Sequence, residues 1–123
     1  MSKKIMVVDD SKAIRQSLIF TLKGHGYEVL EAANGVDALD LMKDNTIGLF
    51  ISDVNMPEMD GIELLKRIKQ DKDHKYTPVI MLTTESGRDM IEAGKEAGAK
   101  AWMIKPFQPE EIVSAVKKLF VVQ

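Results

Sequence analysis

Residues 48–61, GLFISDVNMPEMDG, combine an apolar run, an aspartate shortly after it and a turn in one short segment. The run Gly48–Ile51 is short and rich in branched and aromatic residues, which is typical of a buried strand, and Asp53 closes it. From about Gly61 the apolar residues change to helical spacing. The segment therefore predicts a strand, a loop that begins with a carboxylate, and a helix.

The same alternation extends to both ends of the chain. Strands are predicted at Ile5–Val8, Glu28–Leu30, Gly48–Ile51, Pro78–Leu82 and Ala101–Ile104. The first helix carries Ile14, Leu18, Phe20 and Leu22, the second spans Val36–Met42, and the others begin near Gly61, Gly87 and Pro109. Five strands that alternate with five helices predict an α/β fold with a mostly parallel sheet covered on both faces.

Length, charge and composition restrict the possible functions. The 123 residues, 1–123, suffice for one domain and leave no room for a separate output domain. The net charge of -2 provides no basic excess for binding nucleic acid. No apolar run reaches the length of a signal-peptide core or a membrane span, so we expect a cytoplasmic protein without membrane insertion. Cysteine is absent, and His25 and His74 lie far apart in polar sequence, which argues against a zinc site.

Chemically active side chains occur where the predicted strands end. The first strand is followed by Asp9 and Asp10, the third by Asp53, the fourth by Thr83 and the fifth by Lys105. In sheets of this kind ligands bind at the carboxyl ends of the strands. Clustered carboxylates repel one another, and Lys105 together with Mg²⁺ would offset that repulsion. In this setting Asp53 is the best candidate for a nucleophile that accepts a phosphoryl group.

Each of these residues also has a simpler interpretation. Asp9-Asp10-Ser11 could cap a helix, Asp53 could begin a turn, and Thr83 could simply end a strand. Lys105 could be an ordinary exposed lysine. Separate strand ends would then have to place complementary groups on one edge by coincidence, so the joint pattern favours a site.

The motifs together resemble the receiver domain of two-component response regulators over essentially the whole chain. They are Asp9-Asp10, Asp53 with Met56-Pro57 and Asp60-Gly61, Thr83, and Lys105-Pro106-Phe107. The resemblance implies a flavodoxin-like (βα)5 sandwich of three layers with the parallel strand order 2-1-3-4-5. It further implies a signalling domain that catalyses only its own phosphorylation and dephosphorylation, and is not otherwise an enzyme.

The resemblance also assigns a role to each matching residue. Asp53 is the phosphoacceptor, and Asp10 binds Mg²⁺ together with Asp53. Asp9 orients the ion through water, and Asn55 offers its backbone carbonyl to it. Lys105 pairs with a phosphoryl oxygen.

A second group of residues is implied to transmit the signal. Thr83 bonds to the phosphoryl group, and its movement is coupled to Trp102, the aromatic residue three positions before the lysine. Pro106 is implied to follow a cis peptide bond. Asn55 and Glu85 occupy the positions that influence how fast water removes the phosphoryl group.

Several features resemble single-domain chemotaxis regulators, notably Trp102 and an end directly after the fifth helix. The partners implied are a sensor histidine kinase of the chemotaxis type, a phosphatase and a flagellar motor switch protein. The output target would bind a face formed by the fourth helix, the fifth strand and the fifth helix, which includes Lys117 and Lys118. The two lysines are explained equally well as a solvated helix end that the helix dipole favours. A monomer that binds no nucleic acid is expected.

Three other functions share part of this chemistry or architecture. A haloacid-dehalogenase-like phosphatase needs a second aspartate two residues after the nucleophile, where this chain has Asn55. A flavodoxin needs a phosphate-binding loop after the first strand, where Asp9 and Asp10 would repel the flavin phosphate. A phosphorelay shuttle that passes its phosphoryl group to a histidine phosphotransfer protein remains open.

Overall fold

A computed structural model describes residues 4–56, 59–84 and 88–120. The elements are β1 Lys4–Val8, α1 Lys12–Lys23, β2 Glu28–Ala32, α2 Gly35–Asp44, β3 Leu49–Asp53, α3 Gly61–Gln70, β4 Val79–Thr83, α4 Arg88–Ala97, β5 Ala101–Ile104 and α5 Pro109–Leu119. Each predicted strand begins and ends within two residues of an observed one. Pro57, Glu85 and Gly87, which the sequence singled out, lie outside the described residues.

The sheet has five strands in the order β2-β1-β3-β4-β5, and every pair is parallel. Helices α1 and α5 pack on one face, and α2, α3 and α4 pack on the other. The predicted fold class, the three layers and the strand order are therefore confirmed. Among the described helices none is long and apolar enough to cross a membrane.

The central strands are mainly apolar because both of their faces are covered, and their polar residues lie at or near the strand ends. In β1, Met6 belongs to the apolar cluster on one face of the sheet, and Val7 belongs to the cluster on the other. All five residues of β3 and of β4 are buried. Burying each such aliphatic side chain contributes about 1.5–3 kcal/mol relative to leaving it in water. This rigid core holds the strand ends in place.

Helix α1 shows one departure from the predicted pattern. Leu18 and Leu22 are buried, as their spacing of four residues requires, whereas the Phe20 side chain is 83% exposed. A residue two positions after Leu18 lies about 200° around the helix, on its opposite side. Phe20 therefore belongs to the surface and not to the core.

The second histidine is not in the polar environment that its sequence neighbours suggest. His74 is 2% exposed and packs edge-on against Phe50, with ring centroids 5.8 Å apart. Its Nε2 accepts a hydrogen bond from the backbone N–H of Ile47 at 3.0 Å, and its Nδ1 lies 2.6 Å from Asp71 Oδ2. A neutral ring with its proton on Nδ1 satisfies both contacts. His74 thus fastens the loop after α3 to the segment that enters β3.

Candidate functional site at the carboxyl edge of the sheet

The parallel register brings the predicted site residues to one edge of the sheet. Ser52 pairs with Val8, Asp53 with Leu82, and Thr83 with Ile104, so β1, β3, β4 and β5 end at a similar level. The residues that close or follow these strands consequently converge.

Three carboxylates form the centre of the site. Asp9, Asp10 and Asp53 each offer a carboxylate oxygen, and these oxygens lie within 4.8 Å of one another. Asp9 and Asp53 are buried, with 1% and 6% exposure, whereas Asp10 is exposed. A set of hard oxygen donors with one open side suits a small divalent cation such as Mg²⁺, which retains several waters.

Lys105 places a positive charge beside two of these carboxylates. Its Nζ lies 2.8 Å from Asp9 Oδ2 and 3.3 Å from Asp53 Oδ1, and its side chain is 11% exposed. The backbone N–H of Lys105 donates to the carbonyl of Thr83 at 2.7 Å. The peptide bond between Lys105 and Pro106 is cis, as the resemblance implies.

The two neighbouring aspartates have different surroundings. Asp9 Oδ1 accepts the N–H of Ser11 at 2.8 Å, and Oδ2 accepts from Lys105, so both oxygens are already bonded. No hydrogen bond or ion pair joins Asp10 to another described residue. The N-cap of α1 is Ser11, whose side chain accepts the N–H of Ile14, so neither aspartate is needed as the cap. Asp10 therefore has its oxygens available for a metal ion.

Burial raises the pKa of the Asp53 carboxyl above its ordinary value, and the negative charge of Asp9 adds to this effect. The charge of Lys105 and its hydrogen bond lower the pKa, as does the backbone N–H of Asn55, but they do not outweigh burial. Without a divalent cation, the negative charge of ionised Asp53 therefore lowers the stability of the folded state.

The unfavourable charge of buried Asp53 predicts a change in stability that depends on pH. We expect Asp53→Asn to raise the free energy of unfolding in metal-free buffer at pH 8, because the amide keeps the shape and removes the buried charge. The pKa of Asp53 is higher in the folded than in the unfolded chain, so the wild type loses stability as pH rises through the folded-state value. Urea denaturation in EDTA should show a gain that shrinks as pH falls. A gain that does not change with pH would contradict this explanation.

The remaining predicted residues are placed as follows. Thr83 is completely buried at the end of β4, and Asn55 is exposed in the loop after β3. The backbone N–H of Asn55 bonds to the Asp53 carboxylate. Gly61 at the start of α3 approaches Asp53 so closely that a Cβ there would lie 2.1 Å from the Asp53 carbonyl oxygen. The glycine in the Asp60-Gly61 motif is therefore required by this contact.

Trp102 packs against α4 in a way that sequence reasoning missed. A Cβ on Gly94 would lie 2.1 Å from Trp102 Cζ3 and 2.8 Å from Cε3, so the indole occupies the space that the glycine leaves. The indole Nε1 is buried and has no hydrogen-bond partner among the described residues. In the sequence Gly94 suggests only a weakened helix, whereas in the fold it accommodates the tryptophan.

We expect Gly94→Ala to displace the indole. Helix propensity alone would favour alanine by about 1 kcal/mol, but overpacking a buried contact costs about 1–3 kcal/mol, so the net change should be destabilising. Trp102 fluorescence should shift to the red as the ring enters water. Gly24→Ala is the matched control, because a Cβ there meets only carbonyl oxygens at an ordinary 3.4 Å. An unchanged emission spectrum in a more stable Gly94→Ala protein would contradict the packing argument.

Comparison with known proteins agrees with this geometry. The response regulator receiver domain family matches residues 5–117. The chain is similar to the chemotaxis response regulator CheY4 of Vibrio cholerae, with a TM-score of 0.92 and 40% identity over 97% of this chain and 99% of that one. It is also similar to a CheY-like receiver domain protein from Methanospirillum hungatei, with a TM-score of 0.90 and 30% identity over 96% and 93% of the two chains.

One curated relative is named as a transcriptional regulator and not as a chemotaxis protein. The transcriptional regulatory protein SrrA of Staphylococcus aureus is 39% identical over 119 residues, which are 97% of this chain and 48% of that protein. The chain thus spans about half the length of the curated relatives that it matches. The family match covers most of the chain, the fold agrees with it, and the three aspartates and Lys105 meet at the expected edge. The chain belongs to the response regulator receiver domain family.

Proposed function

We propose that this chain receives a phosphoryl group on Asp53 from a sensor histidine kinase and signals by phosphorylation-dependent protein binding. The observation that carries the proposal is the arrangement around Asp53. This carboxylate lies at the end of β3, with a lysine ammonium 3.3 Å away and two further carboxylates close by. Such a site can place a nucleophile and balance the charge of a transferred phosphoryl group.

The positions of these side chains support the following proposed transfer. An oxygen of Asp53 attacks the phosphorus of a phosphohistidine, the P–N bond breaks, and the released imidazole nitrogen takes up a proton. Lys105 then pairs with a phosphoryl oxygen, and Thr83 donates its hydroxyl to another. Mg²⁺, when bound, would neutralise further phosphoryl charge. Asp10, Asp53 and the carbonyl of Asn55 would hold the ion, and Asp9 would orient it through water.

The output surface that we propose is formed by α4, β5 and α5. Ile104 on the edge strand β5 is 41% exposed, and Lys117 and Lys118 are exposed on α5. Movement of Thr83 toward a phosphoryl group would be passed to Trp102, which packs on α4. A partner that binds this face would then distinguish the two states.

We further propose that the chain is a stand-alone cytoplasmic regulator of chemotaxis that acts on a flagellar motor switch protein. Its likeness to a chemotaxis regulator along almost the full length of both chains supports this proposal. The similarity to a transcriptional regulator of about twice the length supports only the receiver role. Asn55 and Glu85 are proposed to give a short-lived phosphorylated state that a phosphatase shortens further, and the protein would act as a monomer.

The test uses acetyl phosphate with Mg²⁺, and beryllofluoride as a stable mimic of the phosphoryl group. We expect acid-labile phosphate on Asp53, a change in the fluorescence of Trp102, and loss of both in EDTA. Slow dephosphorylation with transfer to a histidine phosphotransfer protein would favour the phosphorelay shuttle. Continuous release of phosphate from a small phosphomonoester would instead indicate a phosphatase and contradict the proposal.

A further inference from the structure

Arg15 connects three parts of the fold next to the carboxylate cluster. Its Nη1 donates to the backbone carbonyl of Asp9 at 2.8 Å, and its Nε donates to Glu31 Oε1, also at 2.8 Å. Arg15 lies on α1 and Glu31 on β2, which is an edge strand of the sheet. The Arg15 side chain is only 14% exposed, so these contacts are shielded in part from water and salt.

These contacts fix the backbone at the point where the metal ligands begin. The N–H of Asp9 donates to the carbonyl of Ala32 at 3.1 Å, and its own carbonyl accepts from Arg15. The Asp9 carbonyl shares a rigid plane with the nitrogen and Cα of Asp10. Holding that carbonyl therefore sets the orientation of the peptide unit from which the Asp10 side chain leaves. Asp10 has no hydrogen bond of its own with another described residue to set its direction.

We propose that Arg15 is a positioning residue for metal binding, which directs Asp10 toward the ion and is itself held by Glu31. This inference rests on the proposed magnesium site. The guanidinium is suited to the task, because its planar group makes both bonds at once in a fixed geometry, which a lysine ammonium on a flexible stem does not. Glu31 also offsets the positive charge that Arg15 places beside the carboxylate cluster, a charge that would otherwise repel a divalent cation.

The experiment measures Mg²⁺ affinity by isothermal titration calorimetry on the full chain, at a temperature where each variant is folded. Loss of a group that orients a metal ligand typically weakens binding by about 10–100-fold, and we expect Arg15→Ala to lie near the lower end, at about tenfold. Glu31→Ala should weaken binding less, and it should add nothing in an Arg15→Ala background. Arg15→Lys should give an intermediate affinity, because it retains the charge and only one of the two bonds.

The matched control is a second arginine–glutamate pair of the same length. Arg67 Nε lies 2.8 Å from Glu63 Oε2 on α3, about half exposed and with no bond to the metal ligands. Arg67→Ala should leave Mg²⁺ affinity unchanged. A folded Arg15→Ala protein with wild-type affinity would overturn the inference, as would equal weakening by Arg67→Ala. If the wild type itself binds no Mg²⁺, the proposed function fails instead, so the two failures are distinguishable.

Discussion

Asp53→Asn protein should acquire no measurable acid-labile phosphate from acetyl phosphate and Mg²⁺. The amide has the shape of the carboxylate but lacks its nucleophilic oxygen, and we expect the rate to fall by at least about a thousandfold, as when other catalytic nucleophiles are removed. The measurement is the amount of phosphate bound per chain, together with its release by acid and by base. Since this substitution should stabilise the metal-free fold at pH 8, unfolding would not explain the loss.

The control for this prediction is Asp40→Asn, which removes a carboxylate from the exposed surface of α2. The Asp40 side chain is 69% exposed, and among the described residues it pairs with Lys43 alone, three residues along the helix. This variant should be phosphorylated at the wild-type rate. Phosphorylation of Asp53→Asn protein at the wild-type rate would show that another residue accepts the phosphoryl group.

Lys105→Met should produce the second large effect. It should lower stability and the rate of phosphorylation but raise the affinity for Mg²⁺. Removal of the ammonium leaves Asp9, which is 1% exposed, and the neighbouring Asp53 without their cation. Removing one partner of a buried ion pair costs about 3–5 kcal/mol, so the free energy of unfolding in EDTA should fall by about that amount. Affinity for Mg²⁺ should increase, because a competing cation has been removed. The rate of phosphorylation should nevertheless fall by about a hundredfold or more, since one partner of the phosphoryl oxygens is lost.

Titration with Mg²⁺ separates these effects. Saturating Mg²⁺ should recover part of the lost stability of Lys105→Met protein, because binding to the folded state alone stabilises that state. Lys118→Met, on the exposed side of α5, should change none of the three properties. Lower Mg²⁺ affinity in Lys105→Met protein would mean that the lysine organises the site rather than competing with the ion.

The order of elements and the convergence of the strand ends could be predicted because they depend on local pattern and on a topological rule. Short apolar runs followed by Asp9, Asp53 or Thr83 identify a strand and the residue that closes it. Parallel strands joined by helices place all of these residues at one edge. The distances and exposures within the site could not be predicted, because they depend on how the helices pack.

Contacts between distant segments could not be predicted from the sequence around each residue. His74 follows a charged stretch, yet it is buried and accepts the N–H of Ile47, which lies just before β3 and 27 residues away in the sequence. Nothing near Arg15 in the sequence points to Glu31, since a pairing sixteen residues apart depends on how α1 and β2 meet. A search for an arginine one turn into α1 and an acidic residue on the adjacent edge strand could have suggested the pair.

The sequence by itself determined the α/β fold and the residues that meet at the carboxyl edge of its sheet, because hydrophobic period and strand-end chemistry are properties of short segments. Only the tertiary structure decided which aspartate is fully bonded and which is available, and why Gly94 faces Trp102. Those properties depend on atoms brought together from different elements at distances of a few ångströms. Burial then acts on the assembled group, which is why the pKa of Asp53 is raised only in the folded chain.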